Sequence, residues 1–176
     1  MNEISAGFAD PSRKKSIAKI RWVAIIAIPL AAILFQVYVP RFFPFLAYLE
    51  LPLLVTVYFA LMRRSPPAGV LFGAAVGLAQ DSLSHHPLGM FGIVKTLVGY
   101  FAASVSQRFD VDNSMVRLVL GFFFFFFHRF FYWVLARALL GEALSFELQQ
   151  TMVMAILNAV VAVPLYHILD KLKVLG

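Results

Sequence analysis

Long apolar segments, one after another along the chain, constrain this fold more than any other feature of the sequence. The six segments lie at residues 22–39, 46–62, 67–84, 88–106, 115–135 and 150–169. A helix needs about 20 residues to cross the hydrocarbon core of a bilayer, with a working range of roughly 17 to 25. Because lipid offers backbone groups no hydrogen-bond partner, segments that span it must be helices. We therefore predict an all-α, polytopic membrane protein with six transmembrane helices.

The composition favours a membrane protein over a soluble protein that binds nucleic acid. Hydrophobic residues make up 61% of the chain and charged residues only 14%, although the net charge is +6. The basic residues lie in the N-terminal head and in alternate loops, which is the pattern that orients membrane proteins. We expect the lipid bilayer, and no nucleic acid, as a partner. The chain has no cysteine, which excludes disulfides and thiolate chemistry.

The positions of Lys and Arg predict which side of the membrane each loop faces. With six spans, the loops of one face carry Arg41 and Arg137. The opposite face carries the basic head and the cations Arg63, Arg64, Arg108, Arg117, Lys171 and Lys173. Lys and Arg accumulate on the cytoplasmic side, so both chain ends are predicted to be cytoplasmic. The predicted organisation is a head at 1–21, a six-helix domain at 22–170 and a short tail at 171–176.

Four ionisable side chains fall inside or at the edge of the predicted spans: Glu50, Asp81, Lys95 and Arg129. A charge near the centre of an inserted helix costs about 2.5–3.5 kcal/mol, so each requires a partner or a function. A rise of ~1.5 Å per residue places all four toward the outer leaflet. We predict a buried polar cluster in which two acids and two bases neutralise one another. Snorkelling side chains, a site for a partner helix or small ligand, and a proton relay are the alternatives.

Small residues recur at helical spacing along two neighbouring spans. Gly69, Gly73 and Gly77 follow one another every four residues in the third span, and Gly92 and Gly99 share a face of the fourth. Positions without side chains let membrane helices approach closely, which is how such helices gain packing energy in lipid. We therefore predict that the third and fourth spans form a tight antiparallel pair with these glycines at the contact.

The last two spans carry an aromatic run and a lone amide. Six consecutive phenylalanines at 122–127 leave most of the fifth span without a polar face. Such a helix faces lipid or is covered by another apolar helix, and a partner's single transmembrane helix can also pack on an aromatic surface of this kind. Asn158, inside the sixth span, is predicted to be an interhelical hydrogen-bond donor.

Motifs of catalytic and cofactor sites are absent from the sequence. It contains no P-loop, no HExxH, no serine elbow and no dinucleotide fingerprint. His85 and His86 lie one turn from Asp81, but adjacent histidines rarely share one metal ion, and a polar outer turn explains them. We therefore predict a protein that is not an enzyme and holds no metal or cofactor.

One stretch combines an apolar helix end with a short acidic and proline-containing turn. Within residues 77–89, Gly77 and the following leucine precede Asp81, and Pro87 is followed by leucine and Gly89. This arrangement resembles the signature of the bacterial rod shape-determining protein MreD family, in which a helix ends in Gly-Leu and then Asp before Pro-Leu-Gly opens the next helix. The length, the number of spans and the short loops are similar as well.

The resemblance implies a noncatalytic scaffold of the elongasome, the inner-membrane complex that directs peptidoglycan synthesis along the side wall of rod-shaped bacteria. Members of the family are expected to bind MreC and, through the complex, RodA, a class B penicillin-binding protein and the MreB filament. Their fold is expected to be similar to that of the six-helix substrate-binding subunits of energy-coupling-factor vitamin transporters.

Two other functions remain open on the sequence. One is a vitamin-binding transporter subunit, since Ala27 and Ala31 are similar to the small-residue contact of such subunits. A ligand that copurifies in the outer-leaflet polar cluster would favour it, whereas a stable complex with a single-span coiled-coil protein would favour the scaffold. The other is a small channel or exporter, for which flux in liposomes is the test.

Overall fold

Six α-helices make up the fold of the computed structural model, which describes residues 19–20, 22–84, 87–143, 145–171 and 173–174. Their bounds are α1 Trp22–Tyr38, α2 Leu51–Arg63, α3 Pro66–Leu83, α4 Met90–Val105, α5 Ser114–Leu139 and α6 Leu148–Asp170. Each corresponds to one of the six apolar segments. Most of the basic head, part of the tail, and the pair His85 and His86 lie outside the described residues.

Within the described ranges, four helical segments are long and apolar enough to cross a membrane: Val23–Arg41, Pro44–Arg63, Ser114–Leu139 and Leu148–Asp170. The protein is therefore a multi-pass membrane protein. α4 is apolar but has only 16 residues, a rise of about 24 Å against a hydrocarbon core of ~30 Å. The complete crossing of the membrane by α3 and α4 stays a prediction.

The two ends of the described chain lie side by side. Residues Lys19–Ile20 (β1) pair antiparallel with Lys173–Val174 (β2) in a two-residue ladder. The end of α6 therefore returns to the face of the bundle from which α1 starts, as an even number of crossings requires. That this face is cytoplasmic stays a prediction from the distribution of Lys and Arg.

The second apolar segment lies within one candidate membrane span, Pro44–Arg63, but it is not a single continuous α-helix. Residues Pro44–Tyr48 form a 3-10 helix, and α2 begins only at Leu51. Proline accounts for both starts, because Pro44 and Pro52 each lie in the first turn of a helix, where a missing backbone N–H costs no hydrogen bond. The chain therefore enters the bundle through a broken segment with backbone groups that need partners elsewhere.

α2 lies at the centre of the bundle. Residues 52–61 are all buried, and the helix contacts each of the other five helices. Apolar side chains on every face explain this position, because a helix without a polar face must be covered all round or meet lipid. The other helices are therefore arranged around α2.

α3 and α4 approach so closely that their backbones touch. A Cβ atom added to a glycine of α3 would overlap a backbone carbonyl of α4 at three successive turns. The three pairs are Gly69 with Gly99, Gly73 with Lys95, and Gly77 with Phe91. On α4, a Cβ atom at Gly92 would meet the side chain of Leu78. The two helices can approach this closely because these turns carry glycines, which have no side chains.

Gly73→Leu is expected to lower the stability of the folded protein, because a side chain at this position must push the two backbones apart. Overpacking of a filled core costs about 1–3 kcal/mol and occasionally more, and a backbone carbonyl cannot rotate out of the way. Ala75→Leu, on the exposed face of the same helix, is the matched control. Folded yield in membranes and the thermal midpoint should fall for Gly73→Leu alone, and equal stability of the two variants would contradict a packing role.

Candidate functional site

The Asp81 carboxylate joins the end of α3 to the start of α4. Its Oδ2 accepts hydrogen bonds from the backbone N–H groups of Gly89 and Gly92, both at 3.0 Å, and its Oδ1 accepts one from Phe91 at 3.1 Å. The first N–H groups of a helix lack partners within the helix and carry partial positive charge. Asp81 is 1% exposed, so a buried anion and buried donors satisfy one another.

The positions of the sequence motif form one structural unit around this carboxylate. Gly89 precedes α4 with φ at 94°, a left-handed conformation that glycine adopts without steric cost. Gly77 lies against the backbone of Phe91, beside the amide that Asp81 binds. Pro87, which is exposed, cannot supply the donor that a continuation of α3 requires. The motif therefore specifies how the end of α3 is held against the start of α4.

Lys95 is buried on α4 and faces α5. Its Nζ is 3.5 Å from Nε2 of His128 and 4.4 Å from the centre of the Phe91 ring. The Phe91 and His128 rings stack with centroids 5.7 Å apart and planes 9° apart. An aromatic face and an imidazole nitrogen both attract an ammonium group. Among the described residues, no contact ion pair joins Lys95 to Asp81 or Glu50.

Glu50 and Arg129 border a cavity of about 450 Å³ that Phe91 also lines. Asp81 and Lys95 are not among its lining residues, but each contacts Phe91, Asp81 through the backbone amide and Lys95 over the ring. Glu50 is partly buried, whereas Arg129 is exposed and not buried as predicted. Two of the four charges therefore line one cavity, and a single neutralised cluster of all four stays a prediction.

Asn158 holds the broken entry into α2. Its Oδ1 accepts a hydrogen bond from the N–H of Glu50 at 2.9 Å, and its Nδ2 donates to the carbonyl of Tyr48 at 2.8 Å. Non-helical backbone at membrane depth is tolerated where protein groups satisfy it. The interhelical hydrogen bonding predicted for Asn158 is confirmed, and its partner is the irregular backbone before α2.

An ion pair at the opposite end of the bundle was not predicted. Arg117 on α5 is 2% exposed; its Nη1 is 2.6 Å from Oδ2 of Asp170 and its Nε donates to the carbonyl of Val111 at 2.7 Å. The Tyr58 hydroxyl of α2 donates to Oδ1 of Asp170 at 3.0 Å. This cluster joins α2, α5 and α6. The sequence feature that could have predicted this ion pair is the position of Arg117 just inside an apolar segment, where a cation requires a partner.

Metal binding gains no support from the described part of the chain. It contains no group of three or more His, Asp or Glu residues that could hold a metal ion. The polar turn predicted at His85 and His86 lies outside the described residues, so the interpretation of these two histidines stays a prediction.

Asp81→Ala is expected to destabilise the protein, because it leaves three backbone donors without an acceptor, and those of Phe91 and Gly92 are buried. Each buried unsatisfied donor costs about 1–3 kcal/mol. Asp81→Asn keeps one acceptor oxygen and should have an intermediate effect on the thermal midpoint. Ser82→Ala, exposed on the same helix, should remain close to wild type. An unchanged midpoint for Asp81→Ala would contradict the capping role.

A second substitution tests whether Asp81 is held by charge pairing instead. The geometry predicts that neither Lys95→Met nor Arg129→Gln restores the thermal midpoint of Asp81→Ala, because neither removes the unsatisfied N–H groups. Full rescue by one of them would identify that cation as the partner of the carboxylate.

Arg117→Met is expected to destabilise the protein strongly, because it removes the buried guanidinium that contacts the Asp170 carboxylate. Removal of one partner of a buried ion pair costs about 3–5 kcal/mol, and the lower end applies here because Asp170 retains 25% exposure. Arg108→Met replaces an exposed arginine of the same face and should change the thermal midpoint little. In the double variant Arg117→Met/Asp170→Asn the loss should be smaller than the sum of the single losses; additive losses would contradict the pairing.

Comparison with known proteins places this architecture in a family. A family model described as rod shape-determining protein MreD matches residues 16–174, a range that contains all six helices and the motif around Asp81. No curated protein and no solved structure matches the chain. The expected similarity to transporter subunits stays a prediction, and the vitamin-binding alternative gains no support. The match over nearly the whole chain shows that this protein belongs to the MreD family of rod shape-determining proteins.

Proposed function

We propose that this protein is a noncatalytic membrane scaffold of the elongasome that binds MreC and supports peptidoglycan synthesis along the side wall. The observation that carries the proposal is the family match, which implies a role in rod shape determination. The arrangement of the charged groups is consistent with a scaffold. Asp81 binds backbone amides and Arg117 joins helix ends, so both side chains stabilise the bundle.

The scaffold lies in the bacterial cytoplasmic (inner) membrane, with both chain ends in the cytoplasm. Support comes from the excess of Lys and Arg on that face and from the pairing of the chain ends on one side of the bundle. RodA and a class B penicillin-binding protein are reached through the complex, with MreC as the direct partner.

An aromatic surface shared by α4 and α5 is the proposed seat of the MreC transmembrane helix. Phe123, Phe127 and Phe131 follow one another every four residues, with ring centroids 6.0 and 4.4 Å apart. Phe101 of α4 extends this aromatic ladder, 5.3 Å from Phe127. Phe123 is 48% and Phe101 39% exposed. Rigid aromatic rings offer a large contact area, and their mutual packing fixes them before a partner binds.

Photocrosslinking tests this surface directly. A photoreactive phenylalanine analogue at position 123 should crosslink to coexpressed MreC. The matched control is the same analogue at Val160, an apolar position on α6 that is 55% exposed. The expected product is an adduct from position 123 alone, identified by a tag on MreC.

Two results would contradict this proposal at different levels. An adduct from position 160 but not from 123 would move the MreC seat from the aromatic ladder to α6. Absence of any complex between the two full-length proteins in membranes, with both present at normal levels, would overturn the scaffold role itself.

A further inference from the structure

The cavity that Glu50 and Arg129 border, here called the outer cavity, lies among α1, α3, α5 and the segment before α2. Its volume of about 450 Å³ falls within the range of about 300–1,000 Å³ that is typical of small-molecule sites. Gln36 of α1, Gln80 of α3 and His128 of α5 all contribute to its wall. No part of the scaffold function proposed above uses this cavity.

Unsatisfied polar atoms concentrate around the outer cavity. Among the described residues, five side chains that line it each contain one buried polar atom that has no hydrogen-bond partner in the protein. These five atoms are Gln36 Oε1, Glu50 Oε2, Gln80 Oε1, Ser84 Oγ and His128 Nδ1. A buried polar group without a partner costs free energy, and native proteins hold few of them. Five around one cavity indicate a polar occupant.

The chemistry of the cavity differs between its floor and its rim. We call the buried lining residues the floor, among them Gln80 and His128 at 3% and 1% exposure, and the exposed lining residues Arg41 and Arg129 the rim. The unpartnered oxygens of Gln36, Glu50 and Gln80 are hydrogen-bond acceptors, and Glu50 adds a negative charge. The floor therefore suits a donor with positive charge, and the rim suits an oxyanion.

The tautomer of His128 adds one donor to the floor. The Lys95 ammonium only donates, so its contact of 3.5 Å with Nε2 assigns the acceptor role to that nitrogen. The proton of the neutral imidazole then lies on Nδ1, the atom without a protein partner. His128 can therefore donate to an oxygen atom of the occupant that lies beside its positively charged group.

We propose that the outer cavity binds a phosphoethanolamine headgroup, with the ammonium on the floor and the phosphate at the rim. A primary ammonium has three N–H bonds to donate, and Gln36, Glu50 and Gln80 each hold an acceptor oxygen without a protein partner. The guanidinium groups of Arg41 and Arg129 match the phosphate, which arginine binds through paired N–H groups. A trimethylated headgroup carries the same charges but has no N–H to donate.

The surroundings of the cavity favour a membrane lipid as the source of this headgroup. Residues Pro40 and Ala47 line the cavity, and the segment between them exposes Phe42, Phe43 and Phe45 at 79%, 53% and 64%. Exposed aromatic side chains at this depth offer apolar surface for the acyl chains beside the polar site. A soluble molecule would not use this surface.

Lipid retention tests the proposal. The full chain is reconstituted in nanodiscs with equal amounts of phosphatidylethanolamine and phosphatidylcholine, released, and analysed by native mass spectrometry. We expect at least about tenfold enrichment of phosphatidylethanolamine, the factor of a single charge-assisted hydrogen bond. Equal retention of the two lipids would overturn the proposal, because it would mean that the floor does not distinguish a headgroup with N–H donors from one without them.

Two pairs of variants separate the floor from the rim. Glu50→Gln should reduce the enrichment to about one- to threefold, whereas Glu147→Gln, the same change at an exposed outer position, should keep it. Arg129→Gln should weaken retention of both lipids equally, and its control Arg137→Gln, also exposed, should not. Unchanged enrichment in Glu50→Gln would overturn the proposed floor contacts. If Glu50→Gln does not fold, two other measurements test the proposal. They are the ratio of phosphatidylethanolamine to phosphatidylcholine retained by the wild type and the comparison of Arg129→Gln with Arg137→Gln.

A soluble competitor distinguishes the source of the headgroup. Glycerophosphoethanolamine at millimolar concentration should leave the bound phosphatidylethanolamine in place, because it lacks acyl chains. Displacement of the lipid by this competitor would overturn the assignment to a membrane lipid. So would a rise of the thermal midpoint with the competitor, in a lipid-free detergent preparation, as large as the rise with phosphatidylethanolamine.

Discussion

The bond between the Asp81 carboxylate and the start of α4 is the interaction on which the rest of this bundle depends. A helix that starts inside a membrane exposes N–H groups that lipid cannot satisfy, and the carboxylate supplies the acceptors. The same turn fixes α4 against α3, where the glycines permit backbone contact. Capping and close packing therefore support each other: the carboxylate sets the register at which Gly73 and Gly77 meet α4.

The same principle operates at other breaks in the helices. Asn158 satisfies the backbone before α2, as Asp81 satisfies the backbone before α4. At the other end, Arg117 and Asp170 join the start of α5 to the end of α6, and Tyr58 ties that pair to α2. These polar side chains thus bind groups at the points where helices begin or end, and apolar side chains around α2 fill the space between.

The two proposed functional surfaces lie on neighbouring faces of α5. Phe127 belongs to the aromatic ladder and His128, the next residue, lines the outer cavity, while α4 contributes Phe101 to the ladder and Phe91 to the cavity. The same two helices therefore contribute to a proposed partner seat and to a proposed lipid site. Because the backbone of α5 is common to both, occupancy of the cavity and docking of a partner helix would each restrict the same helix.

The sequence by itself determined the class of the protein, the number of helices and the pairing of α3 with α4. Hydropathy and glycine spacing are properties of single segments, so they can be recognised in the sequence without a structure. Pro44 also indicated that the segment before α2 is broken, although this was not predicted. Only the tertiary structure decided which groups the charges meet: Asp81 binds backbone amides, Lys95 lies against aromatic rings, and Arg117 pairs with Asp170. Such contacts depend on the rotation and depth of each helix relative to its neighbours, which many side chains fix together.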